Sequence, residues 1–428
     1  MEEEIFFEGL DKKGAAFGFW GNKKVIAYGV LPNEKAKVRI IGKKKNVLFA
    51  KVEEILEKSK RRVKEKESHF LSCSPWQIFD YDFQIEIKKQ FLKEAFDFLK
   101  EDFVLDNFFE SKKKFEYREK TEFSFKEKEG KVYLAFYERG NSKVKVELND
   151  GCILMKPQAK ELALYLIQEI NKQKITPAIL KSLIIRTNSF NELVFALLFK
   201  DASFSFNFNF DLEREKNLNG YIFAYSSPLS PASVFQKILK SEGEVFLKEK
   251  IKDKYFYYNY DSFFQNNLET FSLALEVMRE NISFTLNKVV DFYGGVGVIG
   301  ISLSDLAKKV IGIEINSVAS YFSLKNAQIN NVKNYEAINL PAEKVDNSFL
   351  EKVDLVIFDP PRSGLHPRII KNLIQFKPQF VFYLSCNPFT QAKDVFLLKD
   401  YYKIKRIYGF DFYPQTPHLE SLVVLERK

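Results

Sequence analysis

Residues 288–300 read KVVDFYGGVGVIG, a buried strand that runs into a glycine turn and opens a helix. Gly295, Gly297 and Gly300 have the spacing of a nucleotide-binding turn, where missing side chains let the backbone bend sharply and come close to a ligand. Four more apolar runs follow, KKVIGIEI (308–315), VDLVIFDPP (353–361), QFVFYLSC (379–386) and RIYGFDFY (406–413), with helical segments between the earlier ones. This alternation predicts an α/β fold, a parallel, doubly wound, Rossmann-like sheet. Ligands of such sheets sit beyond the carboxyl ends of the strands. Here those ends carry Asp291, Glu314, Asp359 and Cys386. Glu314 lies 23 residues after Asp291, where an acidic group can accept both ribose hydroxyls of an adenosine-type cofactor.

Working outward, the alternating texture begins near residue 257, which gives a sheet domain over 257–428. At the other end, residues 1–62 hold short apolar runs punctuated by Gly and Asn, the pattern of a small OB-like β-barrel. A charged linker over 58–69 leads into residues 63–256, a mixed α+β region with helices expected at 84–100 and 158–173 and strands over 113–150. The net charge is +9, and residues 1–66 hold 17 Lys/Arg against 10 Asp/Glu. A basic leading segment, with Lys43, Lys44 and Lys45 in a hairpin turn, favours a polyanion such as RNA as partner. No apolar run reaches membrane-spanning length, and the acidic opening Glu2-Glu3-Glu4 is unlike a signal peptide. A cytoplasmic, monomeric protein is expected. Three cysteines, at 73, 152 and 386, are too few and too far apart for a disulfide framework.

The strand exits suggest chemistry. The prolines of DPPR (359–362) rigidify a turn and pin the Asp359 carboxylate, although Asp-Pro is also a common structural turn. A dinucleotide would fit the glycine turn, but the downstream residues argue for S-adenosylmethionine. A cysteine at a strand end is usually a small buried hydrophobe. Cys386, however, stands at the cofactor edge in SCNP (385–388), and PQTPHLE (414–420) can bring a base, Glu420. A thiolate beside a methyl donor suits carbon 5 of uracil, which becomes nucleophilic only after addition at carbon 6. His69, His366 and His418 form no ligand pattern along the chain, so no metal is expected. Two other readings compete: methylation of an amine or small molecule without a covalent intermediate, and RNA binding on a non-catalytic scaffold.

Together, DFYGGVGVIG, GIEI, DPPRSGL, YLSCNPFT and YPQTPHLE resemble the RNA uracil-5 methyltransferases, which use S-adenosylmethionine on rRNA or tRNA. SFFQNN (262–267), YREKTEFSF (117–125) and LIIR (183–186) are similar to that family's central segments, and residues 1–58 resemble its TRAM domain. The resemblance implies Cys386 as nucleophile, Glu420 as base, and Gln265, Tyr293, Glu314 and Asp359 at the cofactor. The barrel leans the expected target toward rRNA. One departure stands out. Family members often hold an iron–sulfur cluster on three cysteines in a Cys-x5-Cys-x2-Cys run and a fourth further on. Here HFLSCSPWQIFDY (69–81) keeps only Cys73, and Cys152 fits the fourth position. A cluster normally needs four thiolates, so none is expected, with Trp76, Phe79 and Tyr81 holding the region instead.

Overall fold

A computed structural model describes residues 2–99, 105–204, 217–230 and 232–428. The first five strands are β1 (Glu2–Leu10), β2 (Ala16–Trp20), β3 (Lys23–Tyr28), β4 (Glu34–Lys44) and β5 (Val47–Glu57). They close into a barrel in the order β1-β2-β3-β5-β4. Period-two alternation turns Ile5 and Phe7 into the barrel core with Val25, Val38 and Leu48, and leaves Phe6, Phe19 and Phe49 outside. Lys45 takes φ +54° at the tip between β4 and β5.

The chain then forms a helix, Tyr81–Phe96, and strand β6 (Leu105–Phe109). The helix starts three residues before the expected Gln84 because Asp80 caps it, accepting a 2.8 Å hydrogen bond from the Phe83 amide. Seven strands follow: β7 (Lys120–Lys128), β8 (Lys131–Glu138), β9 (Asn141–Leu148), β10 (Leu180–Thr187), β11 (Leu193–Phe199), β12 (Leu218–Tyr225) and β13 (Lys237–Gly243). They form one sheet, ordered β13-β12-β11-β10-β7-β8-β9, against the helix Pro157–Lys172. A hairpin of β14 (Phe246–Ile251) and β15 (Lys254–Asn259) closes this part.

The last sheet adds β16 (Leu286–Phe292), β17 (Ala307–Glu314), β18 (Tyr335–Asn339), β19 (Leu355–Phe358), β20 (Phe380–Ser385), β21 (Tyr402–Phe410) and β22 (Glu420–Arg427) to β6. Its order is β18-β17-β16-β19-β20-β22-β21-β6. Val290, Phe292, Ile311, Ile313, Val356 and Phe358 pack on one face, and Val289, Val310, Leu355 and Ile357 on the other. Helices cover both faces, which is why these strands read as continuous apolar runs. The sheet differs from the all-parallel expectation on one side. RIYGFDFY (β21) does run in the common direction, but one place further out. β22 turns back into the gap and pairs antiparallel with both β20 and β21.

Two devices tie the parts together. Lys88, mid-helix and fully buried, donates to Asp411 Oδ1 at 2.6 Å, and the Tyr81 hydroxyl donates to Asp411 Oδ2 at 2.9 Å. The loop at 414–419 is clamped by Gln84, which exchanges two hydrogen bonds with Gln415, and by the Trp76 amide on the Gln415 carbonyl at 3.1 Å. Trp76 stacks on Phe79 and its indole donates to the Gly14 carbonyl of the barrel at 3.0 Å. Among the described residues, no helix is long and apolar enough to cross a membrane.

Candidate active site

Asp291, Glu314, Asp359 and Cys386 lie at the carboxyl ends of β16, β17, β19 and β20 respectively, which are neighbours in the sheet. At the glycine turn, the Gly294 amide bonds the Ile313 carbonyl and the Gly300 amide donates to Asp291 Oδ2 at 2.9 Å. Gly297 stands at φ +87°, and a Cβ there would come within 2.8 Å of Ile301 and 3.0 Å of Ser323, so only glycine fits. Gly295 is different: a Cβ would meet nothing within 4 Å, because that side opens on a cavity. Tyr293, beside it, holds φ +59°, uncommon for a bulky residue. Glu314 Oε2 accepts from the Gly295 amide at 3.0 Å and Oε1 from the Asn316 amide at 2.7 Å, which fixes the carboxylate beside the glycine turn.

The cavity is lined by Phe263, Gln265, Tyr293, Gly295, Val298 and Asp359, among others. Gln265 reaches it from a loop outside the sheet, and its Nε2 donates to Asp359 Oδ2 at 3.2 Å. Other parts of the chain hold that loop. Arg186 donates to the Tyr260 carbonyl at 2.8 Å and to that of Ser262. The Glu119 and Lys120 amides bond Asn266, and Asn267 caps the helix Leu268–Glu280. The segments YREK and LIIR thus position Gln265, and none of this is readable from local spacing.

Antiparallel pairing sets the second half of the site. Ser385 on β20 faces Ser421 on β22, and the next positions in that register are Cys386 and Glu420. Gln391 locks the pair, donating to the Tyr383 and Ser421 carbonyls at 2.6 and 3.1 Å. Asn387 and Pro388 then end the strand and start the helix Pro388–Leu398, leaving Cys386 half-buried at the turn. Glu420 is 3% exposed. Its Oε1 accepts from Tyr413 at 3.3 Å, and its Oε2 is buried without a hydrogen-bond partner among the described residues. Arg362 donates to His418 Nδ1 at 2.7 Å. Neither Tyr413 nor the Arg362–His418 pair was singled out in the sequence; their only signal was position inside the YPQTPHLE and DPPR motifs.

Burial dominates the electrostatics. It pushes the Cys386 thiol up to about 12, aided by the charge of Glu420, with Arg362 opposing. Burial and then Asp359 raise Glu420 well above the usual carboxylate range. Burial lifts Asp359 to about 7, and burial with the charges of Asp359 and Glu314 lifts Asp291 to about 7. A carboxyl raised from 3.8 to about 7 keeps its proton in the folded state after the unfolded chain has lost it. Its contribution to stability is therefore complete below about pH 4 and lost as pH rises through about 7. Asp291→Asn keeps an acceptor for the Gly300 amide but cannot ionise. Thermal melts across pH should show this variant with a flatter Tm profile and a higher Tm than the parent at about pH 8. A parallel profile would show that Asp291 does not titrate in this range.

Three comparisons bear on the site. The family described as tRNA (uracil-5-)-methyltransferase matches residues 80–428. Uncharacterized RNA methyltransferases of Nanoarchaeum equitans and Prochlorococcus marinus are 30% and 32% identical, over 100% and 93% of this chain and 94% and 99% of theirs. The Pyrococcus abyssi tRNA (uracil-54, C5)-methyltransferase, solved with S-adenosyl-L-homocysteine, superposes with a TM-score of 0.79 at 26% identity. It covers 99% of this chain and 100% of its own.

Proposed function

The chain belongs to the tRNA (uracil-5-)-methyltransferase family, and on that premise we propose that it methylates carbon 5 of a uridine in RNA through a covalent adduct of Cys386. The observation that carries this reading is the register of β20 and β22, which sets the thiol of Cys386 across from the buried, half-unpartnered carboxyl of Glu420. S-adenosylmethionine, when bound, supplies an electrophilic methyl group. The residues at the cavity fit such a molecule: open space at Gly295, an acidic edge at Glu314, and the polar pair Gln265–Asp359 among aromatic side chains.

Cys386 gives up its thiol proton to solvent, the resulting thiolate, favoured by Arg362, bonds through Sγ to C6 of the uracil, and the C5=C6 electron pair moves onto C5 and the O4 carbonyl. The C5 electron pair would then take the methyl group, whose bond to the donor's sulfonium sulfur breaks and leaves its pair on that sulfur as a neutral thioether, so that C5 carries both the methyl group and its original hydrogen. Glu420 takes that proton, the electron pair re-forms C5=C6, and the C6–S bond breaks with its pair left on sulfur, which releases Cys386 as the thiolate. Burial raises the proton affinity of Glu420, so its ionised form is the stronger base for this step. Tyr413 orients Glu420, and Arg362 is the cation that lowers Cys386.

Gln265 and Asp359 are proposed to recognise the cofactor. Gln265→Ala removes a donor that burial cannot replace with water. S-adenosylmethionine affinity is expected to fall about 10–100-fold by calorimetry. Undiminished affinity would remove Gln265 from the site.

RNA is proposed to run from the barrel to Cys386. Lys24 lies 4.0 Å over Phe17, exposed Phe6 and Phe19 flank it, and Lys12 reaches Phe389, three residues after Cys386, at 4.4 Å. Cations among exposed rings suit single-stranded bases. The preference for rRNA rested on the barrel alone. The Pyrococcus tRNA enzyme matches nearly this whole chain, barrel included, so the barrel does not separate the two targets. Mapping 5-methyluridine in the tRNA and rRNA of a deletion strain decides between them.

A further inference from the structure

We propose that Glu67, His69, Cys73 and Cys152 form a closed site for a single thiophilic divalent cation, zinc by preference, outside the catalytic cleft. The four side chains come from two distant segments: the end of the linker with the short helix Phe70–Cys73, and the turn at Gly151 and Cys152 after β9. Their ligand atoms all lie within 4.8 Å of one another. Glu67 Oε1 is 3.4 Å from His69 Nε2, and Glu67 Oε2 is 3.8 Å from Cys73 Sγ. A tetrahedral zinc, with Zn–S about 2.3 Å and Zn–N or Zn–O about 2.0–2.1 Å, spaces its ligand atoms about 3.3–3.8 Å apart.

The surroundings are those of a built site. Cys152 is fully buried, and His69 and Cys73 are 7% and 8% exposed. His69 Nε2 is buried and makes no hydrogen bond of good geometry among the described residues; what it faces is the cluster itself, with Glu67 Oε1 at 3.4 Å. Outer partners orient the carboxylate: the Ile153 amide donates to Oε1 at 2.5 Å and Gln77 Nε2 to Oε2 at 3.1 Å. Gln77 also donates to Ser74 Oγ at 2.6 Å, and Ser74 Oγ is 3.0 Å from Cys73 Sγ. Metal ligands are commonly held by such a second layer. Arg118 lies within electrostatic range of both thiols and offsets the excess negative charge of two thiolates and a carboxylate around a divalent ion.

The donor set selects the occupant. Two thiolates, one imidazole and one carboxylate are a poor set for a four-iron cluster, which normally takes four thiolates, but they match a four-coordinate zinc. All four positions are filled by protein, so the ion is structural. It pins the segment leading into Trp76 against the central sheet, and Trp76 in turn clamps the loop that precedes Glu420.

The test uses the full-length protein, expressed with added zinc, purified anaerobically under reducing conditions and desalted. Elemental analysis should give about one zinc per chain, with no stoichiometric iron or acid-labile sulfide. Cys73→Ser and Cys152→Ser should each lose the zinc, and Cys386→Ser should keep it. Since the first two variants can fail to fold, cobalt substitution of the unmodified protein gives a second readout: the visible absorption of tetrahedral, thiolate-bound cobalt. Stripping zinc should lower Tm, with recovery on one equivalent, and affinity should weaken as pH falls, because each thiol must release its proton. Iron with labile sulfide, failure of reduced protein to bind zinc or cobalt, zinc retained in the Cys73→Ser/Cys152→Ser double variant, or a Cys73–Cys152 disulfide in reduced protein would each overturn the proposal.

Discussion

Cys386→Ser is expected to abolish methylation, with kcat/KM falling at least about 10⁴-fold while S-adenosylmethionine affinity is unchanged. The size follows from the mechanism. Without addition at C6, uracil C5 has too little electron density to take a methyl group, and a hydroxyl is a far weaker nucleophile than sulfur. A serine hydroxyl is also far harder to ionise than a thiol, and the burial and Glu420 charge that raise the Cys386 thiol would oppose its ionisation too. The same reading predicts a trap. RNA carrying 5-fluorouridine at the target should stop the unmodified enzyme as a covalent protein–RNA adduct, since Glu420 cannot remove fluorine as it removes a proton. Cys386→Ser should form no adduct. If it kept more than about a tenth of the activity, the covalent route would be wrong and direct methylation of another group would take its place.

Glu420→Gln should fail one step later. Glutamine can still accept from Tyr413 but cannot take the C5 proton. The expected result is a methylated adduct that accumulates on ordinary RNA, visible as a retarded band on a denaturing gel, with kcat reduced about 10²–10⁴-fold. The two variants act on one path, so the double variant should be no worse than Cys386→Ser and should show no adduct. Normal turnover by Glu420→Gln, or loss of activity without an adduct, would move the base elsewhere in the site.

The legible and illegible parts of the site separate by physical cause. Asp291, Glu314, Asp359 and Cys386 are legible because each sits at a strand exit, and a strand exit is a local pattern: an apolar run followed by a polar or turn residue. Gln265 was found only by resemblance, because its place depends on Arg186, Glu119 and Lys120, each 79 or more residues upstream. The insertion of β22 between β20 and β21 was missed because strand order is a long-range choice that periodicity does not encode. Lys88 shows the same gap. A lysine in mid-helix reads as solvated, and only the fold reveals Asp411 buried against it. The three histidines are scattered along the sequence, so the chain alone suggests no metal. The structure instead joins one histidine to Glu67, Cys73 and, across some eighty residues, Cys152.

The recruitment of β6 into the last sheet limits how the protein can be divided. A fragment cut at residue 257 would leave the backbone edge of β21 unpaired, a template for sticking to other chains. It would also strand the Asp411 carboxylate in an apolar interior without Lys88. The catalytic half is therefore not a transplantable cassette, although its sequence reads as one. Any chimera that swaps RNA-recognition parts between relatives has to carry the helix Tyr81–Phe96 and β6 along with the catalytic half, and its workable joint lies upstream, in the charged stretch between the barrel and that helix.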